Sequence, residues 1–279
     1  MELKIVAQHN GRLSSFLQGE MKMSTGLINK LKWGDAIQVN GQPQHTDFKV
    51  VAGDVIAVRL DEEKPDYPAQ DGALTVLYED EHILAVDKPA GMLIHPSHSR
   101  NVDTLANFVA GYYEKTGQKS AFHPLTRLDR DTFGIVLLAK NAYMHTLLQQ
   151  TVVKKTYYAL VLGGPEADEG VISAPIARRE PPSLLREIRE DGKEAVTEFA
   201  VLQRMERLCK LALRPITGRT HQLRLHCAHM GFPIVGDPQY GSDACMEFGW
   251  KYQALCAKRL EFLHPITGKA MTLESEMDV

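Results

Sequence analysis

Short apolar segments recur along this chain and predict a protein rich in β-strands. Between residues 74 and 262, branched and aromatic residues cluster in runs of about four to eight, the length typical of strands. The runs predict strands at 74–78, 83–86, 135–139, 157–162, 196–202, 209–213 and 255–262. Because regular helical patterns do not alternate with these runs, we expect an α+β fold with a largely antiparallel sheet.

Helical spacing interrupts the strands in three places. Asp103 is placed to cap a helix that ends before Gly117, and Asn141 is placed to cap a second helix. Thr220 is placed to cap a third helix that ends at Gly231. The third helix is expected to carry an apolar face formed by Leu223, Cys227 and Met230. The opposite, polar face is expected to carry Gln222, His226 and His229.

A smaller unit precedes this region. Ser24 is placed to cap a short helix that buries Leu27, Ile28 and Leu31, and Gly34 is placed to end it. An Asn40-Gly41 turn then follows a strand predicted at 36–39, and Gly53-Asp54 precedes a second strand predicted at 55–60. The segment from 61 is charged, contains two prolines and lacks periodicity. We therefore predict an N-terminal unit at 1–60, a linker at 61–73 and a larger domain at 74–279.

Composition and charge narrow the class of protein. Of the 279 residues, 24% are charged and 44% are hydrophobic, which indicates a globular protein and excludes a disordered or fibrous one. The sequence has neither a signal-peptide pattern nor an apolar run of the roughly 20 residues that cross a bilayer, so we expect a cytoplasmic protein that does not contact membranes. A monomer is the default expectation.

The net charge of −3 excludes a chain-wide attraction to nucleic acid, so a polyanion must meet a local patch. Residues 1–60 hold seven Lys or Arg and five Asp or Glu, a net +2, which leaves −5 for the remainder. Arg12, Lys30 and Lys32 lie at polar positions around the predicted helix. They are the candidate phosphate contacts of this unit.

A charged loop, 123–134, leads into the predicted strand at 135–139 and is the first candidate for a reactive site. Arg127 and Asp129 are two positions apart, so an extended chain would present both on one face. A carboxylate beside a guanidinium stays ionised and can act as a nucleophile or a base. For this segment alone, an ordinary surface cluster of ion pairs remains the alternative.

Three further segments carry candidate chemistry. Lys88 follows a predicted strand at the opening of a turn, and Tyr157 faces one side of a strand while Tyr158 faces the other. Arg219 stands at the entrance of the third predicted helix, where a guanidinium can hold a phosphate or a carboxylate. The nearby histidines and cysteines do not have the spacing of a structural zinc site, so we expect no metal.

The motifs around these residues resemble one known family. Arg127-Leu-Asp129-Arg-Asp-Thr-x-Gly134, Lys155-x-Tyr157-x-Ala-x-Val161, and Thr217-Gly-Arg219-Thr-His-Gln-Leu-Arg224-x-His226 with Pro233-Ile-x-Gly-Asp237 occur in this order. Together they closely resemble the RluA/RluD-type pseudouridine synthases over residues 74–270. The motifs depart from the usual pattern at Thr126, where His or Asn is frequent, and at Phe133, where Ser is usual.

The resemblance implies a mixed, mostly antiparallel sheet with a central cleft, and the isomerisation of uridine to pseudouridine in RNA without a cofactor. It implies that Asp129 is the catalytic carboxylate, that Tyr157 faces the uracil, and that Arg219 is the ion-pair partner of Asp129. It also implies that Arg127 supports the loop or displaces the target base. Arg127, Lys88 and Arg224 are the candidate RNA contacts of this domain. Whether Asp129 attacks covalently or removes a proton stays open.

The N-terminal unit resembles the RNA-binding domain named for ribosomal protein S-four, through Arg12-Leu13, Ser24, Gly34, Val39-Asn40-Gly41 and Gly53-Asp54. The unit departs from that pattern at Thr25, where a basic residue is usual. A small α/β module of this kind in front of the synthase domain favours large-subunit ribosomal RNA as the substrate. A transfer RNA stem-loop, a non-catalytic role in ribosome assembly, and a glycosidase using Asp129 and Asp131 are the alternatives.

Overall fold

The computed structural model describes residues 1–61, 67–97, 101–180, 183 and 185–279. Part of the predicted linker, residues 62–66, lies outside the described residues. In the described part, no helix is long and apolar enough to cross a membrane.

Residues 1–60 form a four-stranded sheet, a two-stranded sheet and two helices. The elements are β1 (Glu2–Val6), β2 (Gly11–Arg12), α1 (Leu13–Gly19), α2 (Thr25–Leu31), β3 (Ile37–Val39), β4 (Gln42–Pro43), β5 (Lys49–Val50) and β6 (Val55–Arg59). The four-stranded sheet has the order β1-β6-β3-β4, and β2 pairs with β5. Ser24 caps α2 as predicted, because its hydroxyl accepts the Leu27 N–H at 3.2 Å.

The described residues from 67 onward form a larger sheet, a two-stranded sheet and helices. The elements are β7 (Thr75–Glu79), β8 (Ile83–Lys88), α3 (Leu105–Lys115), β9 (His123–Pro124), β10 (Phe133–Ala139), α4 (Ala142–Gln149), β11 (Lys154–Leu162), β12 (Glu169–Ser173), β13 (Ile176–Arg178), β14 (Arg186–Ile188), β15 (Val196–Arg204), β16 (Leu208–Pro215), α5 (Gln222–His229), a 3₁₀ helix (Asp243–Met246), β17 (Leu255–Leu263) and β18 (Ala270–Glu274). The two-stranded sheet consists of β13 and β14. Every strand predicted in this region is present.

The larger sheet has ten strands in the described residues. Its main path is β12-β15-β16-β11-β17-β10-β8-β7, with β18 beside β17 and β9 beside β10. The β10–β17 pair is parallel and the other pairs are antiparallel. The prediction of an α+β fold with a mostly antiparallel sheet is therefore confirmed.

Gly134 permits the close parallel contact at the start of β10. Its φ is +107°, and a Cβ at this position would lie 2.4 Å from the Ala257 carbonyl oxygen. An L side chain would meet both a strained backbone and the neighbouring strand. The glycine therefore fixes the point at which the charged loop before β10 reaches β17.

The predicted helix starts need two corrections. The N-cap of α3 is Thr104 rather than Asp103, and Asn107 Oδ1 accepts the Thr104 N–H at 3.2 Å. The N-cap of α5 is His221 rather than Thr220. Asn141 caps α4 as predicted, accepting the Met144 N–H at 2.8 Å.

The predicted two-faced character of α5 is wrong. Gln222 and His226, expected on a polar face, are buried, whereas Met230, expected on the apolar face, is 48% exposed. The helix packs against β14, β15 and β16. Its polar residues can be buried because partner groups on β15 form hydrogen bonds with them. Periodicity alone could not reveal those partners.

One hydrophobic cluster connects the small sheet to the larger one. It contains Phe16 and Ile37 from the N-terminal residues together with Leu137, Leu148 and Leu260 from the larger region. Burial of such side chains contributes about 1.5–3 kcal/mol each. The two regions therefore share apolar packing, although their backbones form separate sheets.

Candidate active site

The predicted catalytic residues line one cleft. Asp129, Tyr157 and Arg219 are far apart in sequence, yet all three contribute to a cavity of about 620 Å³. The cavity is also lined by Arg127, His95, Lys155, His221 and Arg224. Both polar and apolar groups thus face a space large enough for a nucleoside.

A tight turn before β10 presents Asp129. The Thr132 N–H donates to the Asp129 carbonyl at 3.2 Å, and the Thr132 hydroxyl accepts a hydrogen bond from Gln253 at 2.6 Å. Within the turn, Arg130 binds both oxygens of Asp131 at 2.8 Å. Both carboxylate oxygens of Asp131 therefore bind Arg130, whereas Asp129 lines the cleft.

Arg224 holds the Asp129 carboxylate. Its Nη1 donates to Asp129 Oδ2 at 3.0 Å, while Nε and Nη2 bind the two oxygens of Asp237 at 2.7 and 2.8 Å. Nη2 also donates to Gln239 at 2.9 Å. The side chains of Arg224 and Asp237 are 5% and 0% exposed, so their charges interact with little screening. This buried fork fixes the position of Asp129.

Two predictions about this region are therefore corrected. The ion pair expected between Arg219 and Asp129 is made by Arg224, because α5 turns Arg224 inwards while Arg219 lies exposed at its entrance. Arg219 instead donates from Nε to the Glu194 carbonyl at 2.8 Å. The prediction that Arg224 binds RNA is also wrong, since its guanidinium is buried and engaged with carboxylates.

The turn before α5 is held by a buried glutamine. Gln222 Oε1 accepts from the Arg219 N–H at 2.9 Å and the Thr217 hydroxyl at 2.8 Å. Its Nε2 donates to the Val196 carbonyl and to the Thr197 hydroxyl. All the polar atoms of this amide are satisfied, which makes the turn rigid.

Tyr157 lies at an irregularity of β11. The pairing of β11 with β17 shifts register between Thr156 and Tyr157, and such a bulge re-aims the side chain that follows it. Tyr157 lines the cleft, whereas Tyr158 packs beside Lys210, whose Nζ lies 5.2 Å from its ring centroid. Burial, with the charges of Asp129 and Cys256, raises the pKa of Tyr157, so its hydroxyl is protonated at neutral pH.

Lys88 is buried rather than exposed at the cleft, which corrects a third prediction. Its side chain is fully buried, and Nζ donates to the carbonyls of Pro89, Met92 and Arg130 at 2.9–3.0 Å. Burial lowers the pKa of Lys88 to about 7, against the opposing effect of Asp131 and Asp129. Lys88 therefore ties the turn after β8 to the loop that carries Asp129.

The two departures from the family motif have structural roles. The Thr126 hydroxyl accepts the Leu137 N–H at 3.1 Å, so it completes the hydrogen bonding of β10. Phe133 stacks on Trp250 with the ring planes 16° apart and the centroids 6.4 Å apart. Neither position displaces Asp129, Arg224 or Tyr157 from the site.

The N-terminal candidates lie on a surface with an unpredicted aromatic residue. Arg12 and Lys30 are exposed, and Lys32 Nζ lies 5.0 Å from the ring centroid of Trp33. Trp33 is 78% exposed. A large exposed aromatic beside lysines was visible in the sequence as Lys30-Leu-Lys-Trp33, but its exposure could not be deduced from spacing.

Sequence reasoning also missed the groups behind Arg224. Asp237 belongs to the motif Pro233-Ile-x-Gly-Asp237, but its function was not evident from the sequence. Gln239 and Tyr240 follow two and three positions later. The Arg224 guanidinium carbon lies 5.1 Å from the Tyr240 ring centroid. Among the described residues, no group of three or more His, Cys, Asp or Glu side chains is arranged to hold a metal ion.

Comparisons with known proteins agree on one family. The family model for RNA pseudouridylate synthase matches residues 82–229. The chain is 35% identical over 266 residues to an uncharacterised RNA pseudouridine synthase, YjbO, of Bacillus subtilis, covering 93% of each chain. It is 35% identical over 255 residues to ribosomal large subunit pseudouridine synthase D of Xanthomonas campestris, covering 86% of this chain and 76% of the relative.

A solved structure shows the same fold. Human RNA pseudouridylate synthase domain containing 1 superposes with a TM-score of 0.62 at 26% identity, covering 75% of this chain and 86% of that one. The pseudouridine synthase fold expected from the motifs is thus confirmed. The chain belongs to the RNA pseudouridylate synthase family, the isomerases that convert uridine in RNA to pseudouridine.

Proposed function

We propose that this enzyme modifies uridines of large-subunit ribosomal RNA and that Asp129 is its catalytic carboxylate. The observation that carries the second part is the contact of 3.0 Å between Arg224 Nη1 and Asp129 Oδ2 in a cleft that Tyr157 also lines. The charge-assisted contact fixes the carboxylate in place. A carboxylate held in a cleft of nucleoside size suits attack on, or proton removal from, a uridine.

The reaction needs few groups. The bond from N1 of uracil to C1′ of ribose breaks, the base rotates, and C5 forms a new bond to C1′. The C5 proton is lost and N1 gains one, so the net change is an isomerisation that consumes no co-reactant. Asp129 would act at the sugar or the base, while Tyr157 would pack against the uracil ring and hold it during rotation.

The target uridine must leave its helix stack to enter the cleft, at a cost of a few kcal/mol. Contacts to the phosphates of the neighbouring nucleotides can offset this cost. A second cavity, of about 460 Å³, adjoins the first at Gly218, Arg219 and Thr220 and is lined by the exposed side chains of Arg178 and Lys193. We assign this basic surface and Arg127, which also lines the first cavity, to the backbone of the flanking nucleotides.

Residues 1–60 would supply additional RNA affinity as an S-four-like domain, with 61–73 as the linker and 74–279 as the catalytic domain. Arg12, Lys30 and Lys32 would contact phosphates. Trp33, exposed beside Lys32, offers a face on which an unpaired base can stack.

The names of relatives support the ribosomal substrate. Besides the Xanthomonas protein, ribosomal large subunit pseudouridine synthase C of Vibrio cholerae is 29% identical over 287 residues, covering 96% of this chain. An additional domain suits a large folded RNA better than an isolated stem-loop, which makes transfer RNA the second candidate.

The test is to map pseudouridines in ribosomal and transfer RNA from cells with and without the gene. Loss at one or more large-subunit positions, restored by the wild type and not by Asp129→Asn, supports both parts of the proposal. Loss only in transfer RNA overturns the assignment of substrate. Restoration by Asp129→Asn overturns the assignment of the carboxylate.

A further inference from the structure

A histidine approaches the same oxygen of Asp129 that Arg224 binds. His221 Nε2 lies 3.9 Å from Asp129 Oδ2, which is beyond hydrogen-bond length but close enough for electrostatic attraction. Oδ1 of Asp129 accepts no hydrogen bond from any described residue. Arg224 and His221 thus both approach Oδ2 of a carboxylate that lines the cleft.

The backbone of His221 is held in an unusual conformation. Its φ is +59° and its ψ is 17°, the left-handed region that non-glycine residues rarely occupy. The adjacent Gln222, with all its polar atoms bonded, keeps the turn in this shape. Such strained positions persist only where their surroundings impose them, and they concentrate at functional sites.

Tyr240 shares a hydrogen bond with His221, and the direction of that bond sets which ring nitrogen of His221 carries the proton. The Tyr240 oxygen accepts the Arg186 backbone N–H at 2.9 Å and lies 2.9 Å from His221 Nδ1. Among the described groups, Nδ1 is the acceptor within reach of the Tyr240 O–H. When Tyr240 donates to Nδ1, the proton of the neutral imidazole must be on Nε2, the nitrogen nearest Asp129.

The electrostatic surroundings favour that neutral form. Burial lowers the pKa of His221; Asp129 and Asp237 oppose this effect, and Arg224 and Arg186 add to it. Burial also raises the pKa of Tyr240, which keeps its hydroxyl protonated. At neutral pH the pair therefore presents an N–H dipole to Asp129 rather than a second full charge.

We propose that His221 is a positioning residue for Asp129: its Nε2–H, set by Tyr240, attracts the oxygen that Arg224 binds and leaves Oδ1 to react with the nucleotide. This inference rests on the proposed role of Asp129 as the catalytic carboxylate. His221 acts through Asp129, so its loss should slow the chemical step without weakening RNA binding.

Two substitutions separate this role from packing. Asn tolerates the left-handed backbone, and its amide reaches only the place of Nδ1, so His221→Asn removes the N–H near Asp129. The longer Gln can place an N–H close to the position of Nε2. We expect His221→Asn to lower the single-turnover rate at least about tenfold, or about 1.4 kcal/mol in the barrier, and His221→Gln to recover most of it.

The experiment uses the full chain and an RNA that the wild type modifies, and measures the RNA dissociation constant and the thermal midpoint beside the rate. His229→Asn, an exposed histidine on the same helix, is the matched control and should leave the rate unchanged. A wild-type rate in His221→Asn, or an equal loss in His221→Asn and His221→Gln, overturns the proposal. Loss of RNA affinity that accounts for the whole effect also overturns it.

The second measurement is the ¹⁵N spectrum of histidine-labelled protein. We expect His221 to show a protonated Nε2 and an unprotonated Nδ1, and Tyr240→Phe to weaken that preference. A proton on Nδ1 in the wild type contradicts the proposal. The Asp129→Asn enzyme separates the catalytic role of Asp129 from the positioning role of His221. If Asp129→Asn is active, the catalytic role of Asp129 is refuted. If Asp129→Asn is inactive while His221→Asn is fully active, only the positioning role of His221 is refuted.

Discussion

Arg224 Nη1 lies 3.0 Å from Asp129 Oδ2, although the two residues are 95 positions apart in the sequence. Arg224 also spans to the fully buried Asp237, so one guanidinium joins the reactive loop to the turn that follows α5. The position of Asp129 thus depends on the correct packing of α5 against the sheet.

Replacing Arg224 by Lys should damage both stability and catalysis. An ammonium group cannot reproduce the fork that binds Asp237 and Asp129 together, and a buried carboxylate left without its partner costs about 3–5 kcal/mol. We expect a lower free energy of unfolding in urea and a single-turnover rate reduced about 100-fold or more in the fraction that folds.

Arg219→Lys is the matched control for Arg224→Lys. Arg219 is exposed and does not bind Asp129, so this change should leave the urea midpoint unaltered and affect mainly the affinity for RNA. A larger loss of the chemical rate in Arg219→Lys than in Arg224→Lys would restore the pairing that the motif resemblance suggested.

Lys88→Met should destabilise the enzyme in a pH-dependent manner. The folded pKa of Lys88 is about 7, whereas the unfolded value is about 10.4. Between these values the unfolded chain binds more protons, so the contribution of Lys88 to the free energy of unfolding rises with pH, by at most about 1.4 kcal/mol per pH unit.

Urea unfolding of the wild type and Lys88→Met at pH 7 and pH 9 measures this effect. The difference between the two proteins should be larger at pH 9. A difference that is constant or smaller at pH 9 would show that Lys88 is charged in the folded protein. Lys115→Met, at an exposed position, serves as the control for removing a lysine.

Trp33→Ala should weaken RNA binding without affecting the chemical step. Stacking of one base on an aromatic ring contributes about 1–3 kcal/mol, which corresponds to a dissociation constant about 5- to 150-fold higher. The rate at saturating RNA should stay at the wild-type value, because Trp33 does not line the cleft.

Val171→Ala removes another exposed apolar side chain, on β12, and controls for nonspecific effects of truncation at the surface. Filter binding with full-length large-subunit RNA gives the comparison. Equal affinities of Trp33→Ala and Val171→Ala would exclude Trp33 from the RNA surface.

The sequence predicted the strands well because each carries its own local signal. Runs such as 135–139 are apolar throughout and become fully buried strands. The loop with Asp129 was also identifiable, since its charges stand directly before such a run. The strands and the charged loop can be predicted because each depends on residues that are adjacent in the sequence.

The partners of Asp129 could not be obtained in the same way. Arg219 and Arg224 are both arginines near the start of one helix, and the choice between them depends on how α5 is rotated against β15 and β16. The buried polar contacts of Gln222 and His226 set that rotation and overrode the amphipathic pattern. In the same way, the sequence does not reveal that three backbone carbonyls bind Lys88 inside the protein, so its predicted RNA contact is wrong.

Tyr157 should not act as a phenolate. Burial raises the pKa of its hydroxyl above the ordinary value of about 10, with a further increase from Asp129 and Cys256. If the mechanism required the ionised form, the rate would rise about tenfold for each unit of pH increase, as long as the pH stays below that pKa. We expect instead that the single-turnover rate changes little between pH 8 and about 9.5, and that Tyr157→Phe keeps the same flat profile. A wild-type rate that climbs steeply over this range, with the climb absent in Tyr157→Phe, would assign removal of the C5 proton to the phenolate. A flat profile assigns Tyr157 to packing against the base and leaves the proton to a group that is already ionised at pH 8.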